Sequence, residues 1–353
     1  MSQREIFRAE KLPVLQNRVF DTAEAARNSP IGDVVLVQDT KTGLVFNAAF
    51  DPNRLNYDED YQNEQACSNV FRNHLDDVTE IIERHLYGQP LVEVGCGKGH
   101  FLSHMQSSGY EITGVDPAYE GDDPAVIKAP FSRGLGLSAD GVILRHVLEH
   151  ISDPLTFLSS IAAENGGKGL IYIEVPCFDW ICLKRAWFDI FYEHVNYFCL
   201  TDFDRMFATV LESGRVFGGQ YLYVVADLST LRIPVMNGTG AIELPEDFIA
   251  GIDRILPVAK NGNLNIIWGG SSKGVVFAVY MTRAGVLIDF AIDINPAKQG
   301  KYLASSGLLV LSPDDALNRL RREDNIFVMN SNYMDEIVSQ SGNQYNYYGV
   351  DYE

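Results

Sequence analysis

The stretch Leu91-Val92-Glu93-Val94-Gly95-Cys96-Gly97-Lys98-Gly99-His100 constrains this chain more than any other. A short apolar run closes beside an acid, glycines follow at alternate positions, and Phe101-Leu102 opens a helical pattern. That order reads as strand, tight turn and helix start. Glycine is needed where the backbone turns sharply or where a ligand must lie directly on it. The freed N–H groups at the helix N-terminus attract the polar or anionic end of a nucleotide-like ligand. The dinucleotide fingerprint Gly-x-Gly-x-x-Gly does not fit, because the third glycine arrives one residue early and His100 stands where that pattern wants glycine. A dehydrogenase is disfavoured on this spacing.

The segments after the turn alternate. Residues 111–116 read as a strand ending in Asp116, about 20 residues beyond the glycines, where a carboxylate can accept both ribose hydroxyls of a nucleoside. Residues 140–144 and 169–175 give two more strands, the second closed by Pro176, and residues 220–226 give a late one. Strand–helix alternation predicts an α/β fold with a parallel sheet covered on both faces, and a ligand at the carboxyl ends of its strands. Further on, residues 264–268, the turn Gly269-Gly270-Ser271-Ser272-Lys273-Gly274 and residues 275–280 repeat strand, glycine turn and helix, and residues 286–293 end in Asp293. This predicts a second Rossmann-like unit. It lacks the Walker spacing, so it does not read as an ATPase. Ahead of the first unit, strands at 34–37 and 44–46 are joined by the hairpin turn Asp39-Thr40-Lys41-Thr42-Gly43, a small β module. The acidic, aromatic run 57–65 reads either as a solvated linker or as a lid. Apolar positions at helical spacing predict a helix over 71–86 leading into the glycine turn. A polar, glycine-rich boundary falls around 234–240 and a helix over 245–260 follows. The tail 343–353 is tyrosine-rich and acidic.

A net charge of −19 over 353 residues disfavours nucleic acid or an anionic membrane as a partner, and no basic run offsets it. The partner is then a small molecule or a protein. The five cysteines, Cys67, Cys96, Cys177, Cys182 and Cys199, are odd in number and scattered without a Cys-x-x-Cys. That argues against a disulfide framework and a four-thiolate zinc site, and for reduced thiols. The polar N-terminus has no signal-peptide core and no apolar run is long enough to span a membrane, so the expected location is cytoplasmic.

Glu93 followed by Gly95, Gly97 and Gly99 resembles the first motif of the class I S-adenosylmethionine (SAM) methyltransferases. Two further clusters sharpen the resemblance. Arg145-His146-Val147-Leu148-Glu149-His150-Ile151-Ser152-Asp153-Pro154 follows the third strand, and Leu-Glu-His-Ile-x-Asp-Pro resembles the segment that lines the methyl end of the SAM site in that superfamily. Phe188-Asp189-Ile190-Phe191-Tyr192-Glu193-His194-Val195-Asn196-Tyr197-Phe198 follows the fourth strand. An acid and a histidine among aromatics suit proton transfer, since histidine titrates near neutrality. Phe-Asp-x-aromatic-x-Glu-His followed by Tyr-Phe resembles the sugar C-methyltransferases that build branched deoxysugars. The runs 269–274, 293–301 and 330–337 are similar to that family's C-terminal domain, and Tyr61 and Ser68 to its entry into the methyltransferase core.

The resemblance implies three units. Residues 1–60 are an N-terminal module, 61–235 a SAM-binding domain, and 236–353 a Rossmann-like domain that helps hold the nucleotide of the sugar. It implies that His194, beside Glu193, removes the proton next to a 4-keto group, with His150 near the transferred methyl. The cofactor side would comprise Glu93, Gly95, Cys96, Gly97, Gly99, Asp116, Pro117, Arg145, Tyr61 and Ser68. The acceptor side would comprise Phe191, Tyr192, Tyr197, Lys273, Asp293, Lys298 and Asn332. Three departures stand out. The family carries an N-terminal zinc module with cysteine pairs, but no cysteine precedes Cys67, so the module is degenerate and neither zinc nor another metal is expected. Where the family often has tyrosine two residues before the glutamate, this chain has Phe191; a hydroxyl to stabilise an enolate must come from Tyr192 or Tyr197. And Ala304-Ser305-Ser306-Gly307 replaces a Pro-Gly after the lysine-rich segment. The leading expectation is SAM-dependent C-methylation of a nucleotide-linked keto sugar, yielding S-adenosylhomocysteine (SAH). The alternatives are O- or N-methylation of another small metabolite, which needs no enolate, and a non-catalytic nucleotide-binding scaffold.

Overall fold

The computed structural model describes residues 3–55, 61–62, 67–132, 134–137, 139–236 and 240–351. The helix Asn69–Leu86 sets the first unit in place. Ser68 caps it, its hydroxyl accepting from Phe71 N at 3.4 Å, and Arg84 and His85 in its last turn complement the helix dipole. Its buried stripe of Phe71, Leu75, Val78, Ile82 and Leu86 packs with Phe101, Leu102 and Met105 of the helix His100–Ser107 on one face of a seven-stranded sheet.

In spatial order that sheet runs Val210–Val216, Tyr221–Asp227, Leu170–Pro176, Gly141–Arg145, Leu91–Val94, Ile112–Val115, Val126–Ile127. The last five are mutually parallel; Tyr221–Asp227 runs antiparallel to both of its neighbours. Leu91–Val94, buried at every position, lies between Ile112–Val115 and Gly141–Arg145, so the chain switches direction across the sheet on either side of it. A second sheet has the parallel order Val310–Leu311, Phe290–Ile292, Asn265–Trp268, Asn325–Val328, Asn346–Gly349. Its switch point flanks Asn265–Trp268. Both switch points open onto the same cavity.

The N-terminal sheet has the order Gln3–Pro13, Ile31–Asp39, Val45–Asn47, Asn196–Tyr197. Its last strand comes from the chain directly after Glu193-His194, so the module clamps that segment. The apolar core is continuous across all three sheets: one cluster includes Leu12 and Val34, Val94 and Ile173, and Phe277 and Phe327. Trp187 is a hinge pin of that core, stacked on Phe277 with centroids 6.1 Å apart and packed on Tyr280 at 4.6 Å.

Several expectations change. Gln3–Pro13, Val126–Ile127 and Val210–Val216 are strands that the reading passed over. The helix expected over 245–260 is Gly251–Ala259. The tyrosine-rich tail contributes the edge strand Asn346–Gly349. Of the run 57–65, only Tyr61 and Gln62 are among the described residues. No described helix is long and apolar enough to cross a membrane.

Candidate active site

The shared cavity measures about 390 Å³, room for a small ligand. Its first wall is the Gly95–Gly99 turn. Gly95, at φ 80°, could not carry a side chain, since a Cβ would fall 2.3 Å from Val147. Gly97, at φ 54°, faces open space within 4 Å, so nothing of the protein fills the room it leaves. The helix beyond begins at Gly99 with no side-chain cap, which leaves its first N–H groups available to a ligand. Gly99 itself is required by a neighbour, because a Cβ there would press on Tyr119 at 3.0 Å. Glu93 is 3% exposed, and its Oε2 has no hydrogen-bond partner. Burial, abetted by Asp116 and opposed by Arg145, pushes its carboxyl up to about 7. A buried carboxylate oxygen without a donor calls for a cationic or donor ligand. The Cys96 thiol on the same wall is raised to about 12 by burial and is inert as a nucleophile.

Asp116 and Pro117 sit behind this turn, outside the cavity lining. Asp116 accepts from Gly97 N at 2.8 Å and from Ala118 N at 2.7 Å, so its carboxylate shapes the turn. Arg145 does line the cavity. It is fixed by Glu174, which also accepts from Tyr172 at 2.7 Å and bonds His74 and His146 at 3.0 Å. Burial opposes the Glu174 charge, but Arg145 and the two histidines outweigh it and hold the carboxyl well below its usual range.

The two sequence clusters meet at the far side of the turn. His150 Nδ1 donates to the Glu193 carbonyl at 3.0 Å, Val195 N donates to the Glu149 carbonyl at 2.7 Å, and Asn196 Nδ2 reaches the carbonyls of Leu148 and Ile151 at 3.2 and 2.6 Å. These bonds bring the His150 and His194 rings to 5.0 Å, edge to face, with Phe191 against His194 at 4.7 Å. His194 Nδ1 is buried without a partner. Burial, with His150, His146 and Lys273 around it, holds His194 well below the usual histidine range, so it is neutral. Glu193 accepts from Gln16 N and from the Tyr61 hydroxyl, each at 2.6 Å. Its carboxyl is raised by burial, which the neighbouring His150 and the Tyr61 bond only partly offset.

Among the described residues, Glu149, His150 and His194 form the group whose ligand atoms converge closely enough, within 4.8 Å, to suggest a metal. That group bears on the expectation of no metal.

The second wall is the Gly269–Gly274 turn, with Trp268, Ser271, Lys273 and Asp293 on the lining. Lys273 pairs with the buried Asp189 at 3.1 Å, joining the two Rossmann-like units across the cavity. Burial raises the Asp189 carboxyl against the pull of Lys273. Ser68 closes the rim, donating to Glu336 at 2.7 Å.

Four expected acceptor residues lie elsewhere. Tyr192 is buried against Gly32, and its hydroxyl accepts from Asp51 N at 3.0 Å. The Tyr197 hydroxyl bridges the N–H and carbonyl of Phe191, both at 3.0 Å. Neither supplies a hydroxyl to the cavity in place of the one missing at Phe191. Lys298, 1% exposed, stands behind the wall, bound to Ser271 at 2.6 Å and Asp293 at 3.3 Å. Asn332 is turned to the Phe217 carbonyl at 2.8 Å. Conversely, Gln16, Asn17, His146, Glu149 and Asp189 line the cavity and were not singled out as site residues.

Residues 61–210 match the family model described as a methyltransferase domain, and residues 251–350 match the one described as a C-methyltransferase C-terminal domain. The chain is a methyltransferase with a Rossmann-like core. This methyltransferase matches no curated protein. Among solved structures, a SAM-dependent methyltransferase from Mesorhizobium loti aligns at 12% identity and TM-score 0.35, over 45% of this chain and 99% of its own. The plantazolicin methyltransferase BpumL, in complex with a monoazolic desmethylPZN analog and SAH, aligns at 13% and 0.34, over 44% and 83%. The PH0226 protein from Pyrococcus horikoshii aligns at 14% and 0.36, over 49% and 99%. At such identities and scores the assignment rests on the family models and on the Rossmann-like sheets of this chain.

Proposed function

We propose that this methyltransferase transfers a methyl group to a carbon beside the keto group of a nucleotide-linked hexose, with His194 as the base. The observation that carries the reading is an unpaired, neutral imidazole nitrogen at the cavity wall, one histidine ring away from the SAM-side turn. The description of the matched C-terminal domain supports carbon as the methyl acceptor.

The residues fit SAM. Its ammonium suits the bare Glu93 Oε2, and its methionine and ribose suit the room at Gly97, on a turn that Asp116 shapes from behind. When bound, SAM supplies an electrophilic methyl on a sulfonium. His194 would take the proton from the carbon next to the ketone, leaving an enolate carbon that could accept the methyl as SAH departs. Glu193, held by Gln16 and Tyr61, orients the segment that carries His194. Lys273, in the first turn of the helix Ser272–Arg283, suits the anionic nucleotide end of the acceptor. In this reading 1–60, 61–235 and 236–353 act as a positioning module, a cofactor domain and an acceptor domain.

One observation favours the alternative of O- or N-methylation: no tyrosine hydroxyl replaces the one absent at Phe191. Heavy-water exchange separates the two. Nucleotide-linked 4-keto hexoses incubated with the enzyme should take up deuterium beside the ketone, and His194→Ala should abolish it. Methyl transfer that persists in His194→Ala, with no exchange in the wild type, overturns carbon methylation.

A further inference from the structure

Beside His194 the wall presents acceptors and no matching donors. Glu149 is 1% exposed, and its Oε2 has no hydrogen-bond partner. Its other oxygen lies 3.4 Å from His146 Nδ1. That histidine, held at φ 53°, also bonds Glu174 at 3.0 Å. Burial would strip its proton, but the two carboxylates outweigh burial and keep it charged up to about 9. Glu149 is thus a fixed carboxylate with one oxygen satisfied and one bare. His150 gives its Nδ1 to the Glu193 carbonyl. A carbonyl only accepts, so Nδ1 carries a hydrogen, and in the neutral imidazole Nε2 is then an acceptor. Glu149, His150 and His194 all line the cavity, with polar atoms within 4.8 Å of one another.

Three kinds of ligand satisfy convergent acceptors: a metal ion, an ammonium group or a hydroxyl donor. The surroundings discriminate among them. His146 and Lys273 place two positive charges at this end, close enough that both bear on His194. His146 is already paired with Glu149 and Glu174, and Lys273 with Asp189, so a neutral hydroxyl leaves the charge balance of this end unchanged whereas an ion alters it. We propose that Glu149 and His150 form a hydroxyl-binding subsite that requires the acceptor to carry a hydroxyl on the carbon adjoining the one methylated. This deepens the proposed function and rests on it. The hydroxyl donates to Glu149 Oε2 or His150 Nε2 and fixes the sugar ring so that its C–H faces His194. An acceptor lacking it leaves the buried carboxylate unpaired, the situation in which enzymes discriminate most strongly.

The test uses the full-length enzyme and two nucleoside-diphosphate-linked 4-keto hexoses that differ only in that ring hydroxyl. Calorimetry with SAH present reads binding, so the result does not depend on methyl transfer. The wild type should bind the hydroxylated sugar at least about 10²-fold more tightly, and Glu149→Gln should narrow the ratio to a few-fold while leaving SAH affinity unchanged. A wild-type ratio near one overturns the subsite, and needs no variant to fold. Failure of both sugars to bind also overturns it, as does a ratio that Glu149→Gln leaves intact. Stoichiometric metal whose removal abolishes sugar binding assigns the three acceptors to an ion instead. Hydroxyl-dependent binding without deuterium exchange or turnover keeps the subsite and sinks carbon methylation.

Discussion

The two glycine turns are built to one plan and differ in the ionisable groups beside them. Each follows a central parallel strand, each opens a helix without a side-chain cap, and each faces an acid at the end of the next strand. At the first turn the local charges are Glu93 and Asp116, with Arg145 already committed to Glu174. At the second, Lys298 engages Asp293 and Ser271, and Lys273 lies across the cavity against Asp189. The first is suited to a ligand bearing cationic groups, the second to an anionic one. In the proposed function SAM lies at the first turn and the nucleotide-linked acceptor at the second, with His194 between them. Glycine turns alone do not dictate what a Rossmann-like unit binds; the ionisable side chains set beside them do.

The comparison can be broken at several points. The largest effect belongs to His194: replacement by alanine should cut turnover by on the order of 10²–10⁴-fold with SAM affinity retained, read by single-turnover kinetics. Gly95→Ala comes next. Its Cβ would strike Val147 and its φ of 80° disfavours any side chain, so SAH affinity should fall at least tenfold while affinity for a nucleoside diphosphate holds.

Glu93 predicts a pH dependence. Raised to about 7, it is protonated below that pH and cannot pair with an ammonium; above it the carboxylate can. SAM affinity should therefore rise by up to about tenfold per pH unit approaching 7 and flatten above it, and Glu93→Gln should be flat throughout. The smallest effect concerns the empty enzyme. An acid whose folded value exceeds its unfolded one costs stability as pH rises from about 4.5 to 7, so Glu93→Gln should raise the melting temperature at pH 8 more than at pH 5.

Much of this arrangement was legible. The strands at 91–94, 112–115, 141–145 and 170–176 follow from apolar runs closed by glycine, acid or proline, and the repeat at 264–293 follows from the same grammar. The strand Gln3–Pro13 carried a readable signal, since Phe7 and Ala9 alternate with exposed charged residues, yet its density of charge hid it. Val210–Val216, an edge strand with alternating half-exposed positions, was hidden the same way. The histidines at 150 and 194 were visible because rare residue types cluster at strand ends. Gln16 was not, because its contribution is a backbone N–H delivered across 177 positions of sequence. Glu149 was not, because the acid that caps the following helix is Asp153, its carboxylate accepting from Thr156 N at 3.0 Å, and nothing in the spacing marks Glu149 for the cavity. Tyr192 and Tyr197 misled because strand alternation next to the site turned them into the N-terminal sheet and the backbone of Phe191.

The claim that the cavity has a cofactor end and an anionic end is tested most directly by one set of titrations. SAM and a nucleoside diphosphate are each titrated into the wild type, Glu93→Gln and Lys273→Gln at pH 8. The account predicts that Glu93→Gln weakens SAM about tenfold and leaves the nucleoside diphosphate unchanged, while Lys273→Gln does the reverse. Equal losses of both ligands in either variant, or a nucleoside diphosphate that competes with SAM for the first turn, would contradict it.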